Sequence, residues 1–133
     1  MKKLFSFLLL VAVTVTTVNA ATSFLPRLHR QAPTMNVEGT ANSIVAKLDK
    51  SLSLTDKQKP RLLNIVTSYL QQKINILPLQ QNNQPAYKSK INSMQNGLRA
   101  KLKPLFTAEQ YTMFQELKPA SFDETNVLSH LFF

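Results

Sequence analysis

The sequence predicts an all-α protein: a small domain of about four helices, with its two longest helices packed as an antiparallel hairpin. Three observations predict it. Apolar residues recur at three- and four-residue steps through successive stretches, which places them on single helical faces. Two Thr-x-x-Gln boxes stand where such stretches begin. The composition, with two Gly and no Trp, points away from an all-β protein with tight turns. The length of 133 residues suits one domain. Without Cys the chain has no disulfide, no thiolate metal site and no cysteine nucleophile.

In chain order, residues 1–20 read as a secretory signal peptide. Lys2 and Lys3 form a positive start, residues 4–15 an apolar run, and Val18-Asn19-Ala20 a cleavage site of small or moderate residues. The run is short of the roughly 20 residues that span a bilayer. The product is therefore expected in the periplasm or outside the cell. Residues 21–39, punctuated by Pro26, Pro33 and Gly39, read as a flexible leader, and residues 40–133 as the helical domain. A first helix is expected from about Asn42 to Leu52, with Ile44, Val45, Leu48 and Leu52 on one face.

The second helix opens on Leu54-Thr55-Asp56-Lys57-Gln58. There the Thr55 hydroxyl accepts from the Gln58 amide and the Gln58 side chain reaches back. Pro60 either distorts that first turn or marks the start of the regular helix. Leu62, Leu63, Val66, Tyr69, Leu70, Ile74 and Leu77 make its stripe, and Pro78 is expected to end it. Residues 80–85 read as a polar loop. The third helix runs from Pro85 to about Lys103 through Tyr87, Ile91, Met94, Leu98, Leu102 and Leu105, with Gly97 as a weak point and Pro104 as its stop. A second box, Phe106-Thr107-Ala108-Glu109-Gln110, starts the fourth helix, with Phe106 and Tyr111 at the positions of a hydrophobic staple and Pro119 closing it. The tail, with Phe122, Val127, Leu128, Leu131, Phe132 and Phe133, is too apolar to be idle, and a short helix after Asp123 is expected.

Two Leu/Phe-Thr-x-x-Gln boxes around a helical hairpin, in a basic chain made for export, resemble the Spy/CpxP family of small periplasmic proteins with a paired LTxxQ motif. The resemblance covers roughly residues 44–117. Leu54, Thr55 and Gln58 fit the first motif, and Phe106, Thr107 and Gln110 the second, with Phe in place of Leu. The resemblance implies an all-helical protein, often a cradle-shaped homodimer, acting without ATP on unfolded clients or on an envelope-stress sensor. The segment between the motifs is short for the best-known members, and Pro60 departs from their pattern. The motif residues carry over as helix caps, not as a binding site.

Chemistry leaves little trace. His29 and His130 lie at opposite ends of the chain, no HxxxH or HExxH spacing occurs, and no Gly-rich phosphate loop or G-x-S-x-G is present. Neither an enzyme nor a bound cofactor or metal is expected. The formal charge of +9 favours acidic partners, and export argues against nucleic acid. Lys57, Lys59, Arg61, Lys88, Lys90, Arg99, Lys101 and Lys103 are the candidate contacts to such partners, as a basic rim around exposed apolar surface. For any one of them taken alone, the solvated face of an ordinary helix is the better explanation. The alternative function is a secreted interaction protein docking its apolar tail on a partner or a membrane surface.

Overall fold

The structure, a computed structural model, describes residues 35–133. The expected signal segment and the leader through residue 34, His29 included, lie outside the described residues. Five helices follow in order: α1 (Val37–Leu52), α2 (Gln58–Asn82), α3 (Gln84–Leu105), α4 (Ala108–Glu116) and α5 (Ser129–Phe132). Among the described residues there is no strand.

The first helix starts five residues earlier than its periodicity suggested, inside what read as leader. Asn36 is its cap: the side-chain oxygen accepts from the Gly39 amide at 3.0 Å. Gly39 therefore sits in the first turn and does not break it. A Cβ there would lie 3.0 Å from the Asn36 side chain, so only glycine lets the cap fold this close. Ala41, Ile44, Leu48 and Leu52 are the buried stripe, and Ser53, in the left-handed region at φ 52, ends the helix.

Pro60 turns out harmless. Thr55 and Gln58 form a tight turn, the Gln58 amide donating to the Thr55 carbonyl at 3.0 Å, and regular helix begins at Gln58. Pro60 follows within that first turn, and the carbonyl its missing amide hydrogen would meet belongs to the exposed Asp56. Pro78, by contrast, does not end the helix as expected. The helix runs on to Asn82, and the Asn83 amide still donates to the Leu79 carbonyl at 2.8 Å. Pro78 is exposed, so the bond it withholds falls on a wetted face.

The expected polar loop 80–85 is almost entirely helical. Asn83 alone separates α2 from α3, and its side chain caps α3 by accepting from the Ala86 amide at 3.1 Å. Pro85 occupies the first turn, as expected, while Pro104 lies inside α3, one residue before its end. The pairing of Gln58 with Leu105 at one end, and the shared lining of Gln72 with Ser93 further along, make α2 and α3 an antiparallel hairpin.

Thr107 caps α4 with both bonds of the box present. Phe106 and Tyr111 meet through Phe114: ring centroids are 5.9 Å from Phe106 to Phe114 and 6.2 Å from Tyr111 to Phe114. The tail folds back. Asp123 accepts from the Thr125 amide and hydroxyl at 2.8 and 2.7 Å, turning the chain, and α5 lays Phe132 on Phe114 with centroids 5.1 Å apart. One apolar cluster joins Ile44, Leu48, Leu62, Val66, Leu70, Leu98, Leu102, Phe114, Leu128 and Leu131. Ile76 and Ile91 are buried outside it, toward the closed end of the hairpin. Among the described residues no helix is long and apolar enough to cross a membrane.

Candidate functional site

The two boxes meet. Each glutamine accepts its own cap's backbone amide, Thr55 to Gln58 at 2.9 Å and Thr107 to Gln110 at 3.0 Å. Each then donates across to the other half. The Gln58 amide group reaches the Leu105 carbonyl at 2.9 Å and the Gln110 Oε1 at 2.8 Å. The Gln110 amide group reaches the Leu52 carbonyl at 3.2 Å and the Gln58 Oε1 at 3.3 Å. Leu52 and Leu105 are the last residues of α1 and α3, whose end carbonyls lack helical donors. Four helix ends are thus fastened by one pair of half-buried side chains. Leu54 and Phe106, the apolar heads of the boxes, are buried beside it. The motif glutamines hold helix ends together; their direct contact with each other was not legible, because nothing in either box encodes its partner.

The basic candidates lie on the hairpin. Lys57, Arg61, Lys88, Lys90, Arg99, Lys101 and Lys103 are exposed. Lys59 is the exception. Its ammonium lies 2.9 Å from Asp49 and 3.7 Å from Asp56, and the hydrogen bond to Asp49 holds its pKa above the usual lysine value. It ties α2 to α1 and is spent as a contact. A stronger pattern stands in the sequence: between Asp56 and Glu109 there is no acidic residue at all. The whole hairpin is cationic, while every carboxylate of the described residues sits on α1, the helix starts, α4 or the tail.

A shallow furrow runs between α2 and α3 on the face that α1, α4 and α5 leave open. One part, of about 180 Å³, is lined by Ile65, Tyr69, Gln72, Met94, Gly97 and Lys101 among others. A second, of about 290 Å³, shares Gln72, Ser93 and Met94 and adds Ile76 and Lys90. A Cβ at Gly97 would meet nothing within 4 Å, so this glycine deepens the furrow. The hydroxyl of Tyr69 is buried without a hydrogen-bond partner. Gln95 lies close by but donates its amide to the Phe132 carbonyl, and burial pushes the phenol up to about 12.

Lys73 escaped the sequence reading. It falls in line with the apolar stripe, is 5 % exposed, and donates to the carbonyl of His130, at 3.0 Å, and to a carboxylate oxygen of Phe133. Burial lowers its pKa to about 8. His130 sits on the same segment, half-buried, with Phe122 edge-on to it at 5.7 Å. Burial first, and Lys73 second, lower its pKa. Among the described residues no group of three or more His, Cys, Asp or Glu is placed to hold a metal ion.

The fold and the clasp together define a small all-α protein built on a cationic helical hairpin whose two caps lock each other. No family model, curated protein or solved structure matches the chain.

Proposed function

We propose that the protein is an exported, ATP-independent binding protein of the Spy/CpxP kind, holding partly unfolded or acidic polypeptides in the periplasm or outside the cell. The acid-free hairpin carries this reading. Seven exposed cations without a carboxylate between them in sequence set up a one-signed field, which speeds encounter with acidic chains and selects them. The paired boxes, with the family resemblance they bring, support it from the other side. Apolar grip is scarcer on the surface: among the described residues Met113 and Phe122 are the large apolar side chains exposed, at 42 % and 47 %. Capture therefore begins with charge.

The test is an ATP-free aggregation assay with an acidic unfolded client. The protein should slow aggregation, and added salt should weaken the effect, since charges further apart than a Debye length of about 8 Å at physiological salt are screened. No slowing at several-fold molar excess and low salt would defeat the proposal. The alternative, docking through the apolar tail on a partner or membrane, requires Leu128 and Leu131 to leave the core, where they are 1 % and 2 % exposed.

A further inference from the structure

Holding an unfolded chain takes apolar surface, and the closed molecule shows little. The tail covers the nearest supply. Its main-chain hydrogen bonds are all internal: Asn126 to Asp123, Ser129 to Asn126, His130 to Val127, Leu131 to Leu128 and Phe133 to Ser129. Among the described residues, no main-chain bond joins it to a helix of the core. It is tied instead by three long side chains, Lys47 on the Asn126 side chain, Lys73 on the His130 carbonyl and a Phe133 carboxylate oxygen, and Gln95 on the Phe132 carbonyl. The remaining hold is packing by Leu128 and Leu131 and the stack of Phe132 on Phe114. A segment joined this way can open as one unit without unzipping a helix.

We propose that residues 122–133 are a releasable strap, let go when His130 takes up a proton beside the buried ammonium of Lys73, and that its release uncovers the apolar surface around Phe114 for an extended apolar segment of a client chain. The use for clients rests on the binding function proposed above; the release does not. The groups facing His130 set the sign. Lys73, from α2, is already cationic at neutral pH and opposes a second positive charge, while the Phe133 carboxylate that Lys73 holds offsets part of that repulsion. Phe122 offers only a ring edge. Glu124 favours the imidazolium but is exposed, so water screens it. Of the other charges nearby, Lys47 is bonded to Asn126, Lys118 lies 5.7 Å over the Phe133 ring, and the Asp123 carboxylate is engaged by Thr125. The closed strap holds the neutral imidazole, so it loses stability as pH falls below the ordinary histidine value of about 6.5.

Hydrogen exchange of the full chain at about pH 7.5 and about pH 5.5 tests it, with rates corrected for intrinsic exchange. In the wild type, strap amides should lose protection at the lower pH, by at most about tenfold for a single histidine, while α2 and α3 keep theirs. In His130→Gln that difference should vanish. Equal protection of the strap at both values, or an unchanged response in His130→Gln, would overturn the strap; so would loss of protection in strap and hairpin together. The same samples, with an apolar dye and an unfolded client, separate the two claims. Dye uptake at low pH without more client captured would keep the strap and sink its use for clients.

Discussion

Gln58 and Gln110 each satisfy three main-chain groups or side chains that no other residue reaches. Replacing either by Leu strands its own cap's backbone amide and a helix-end carbonyl, and takes one of two acceptors from the partner glutamine's amide. A buried group left unpaired costs about 1–3 kcal/mol. Urea denaturation of Gln58→Leu, Gln110→Leu and the double variant should therefore show two single losses of that size and a double loss smaller than their sum, with coupling of about 0.5–3 kcal/mol. Strict additivity would mean that the two caps act separately. Lys73 makes a prediction of opposite sign. Its folded pKa of about 8 lies below the unfolded value of 10.5, so the charged form is penalised by folding. Stability should rise as pH climbs from 8 toward 10.5, by roughly 3 kcal/mol at most. Tyr69, raised from 10.0 to about 12, contributes stability that is whole below pH 10 and lost above it, so the maximum falls near pH 10. Denaturation profiles of wild type and Lys73→Met check this; the alkaline rise should be missing from the variant.

At the scale of elements, Gly97 offers the cleanest experiment. It lies inside α3 with open space where a Cβ would go, so Gly97→Ala should stabilise by about 1 kcal/mol and raise the melting temperature by about 4–8 °C. A loss of stability would show that the furrow is filled by something close to α3. The elements also show what a sequence can carry. Both boxes, the stripes of α1 and α3 and the first half of that of α2 were legible because capping and periodicity are local rules; beyond Leu70 the buried positions are Lys73 and Ile76, not the expected Ile74 and Leu77. The proline boundaries misled for a reason outside those rules. Whether Pro78 breaks a helix depends on which face its missing bond falls on, and exposure decides that. The loop 80–85 failed similarly, since one asparagine can end α2 and cap α3 at once. Lys73 was invisible because its burial depends on a tail 57 residues away that brings main-chain oxygens to it. The acid-free run from Asp56 to Glu109 was in plain view but shows its meaning only once both helices are known to form one hairpin.

At the scale of the molecule, charge and grease are sorted. Carboxylates gather on α1, the helix starts, α4 and the tail, cations line the hairpin, and the apolar core is closed by the tail. The division suits a protein that attracts with one side and grips with a surface it keeps covered. Removing charge from the hairpin should slow capture without unfolding the domain, because Lys88, Lys90, Arg99 and Lys101 are exposed and none forms an ion pair among the described residues. Changing all four to Gln should reduce the association rate with an acidic client by about tenfold at low salt and flatten its salt dependence. Stopped-flow binding at two ionic strengths reads both. The most direct test of the whole account is nuclear magnetic resonance of the isotope-labelled protein titrated with an acidic unfolded chain. Shifts should concentrate on α3 from Lys88 to Lys103 and on the start of α2, and salt should erase them. Shifts centred on α1, or none at saturating client, would contradict it.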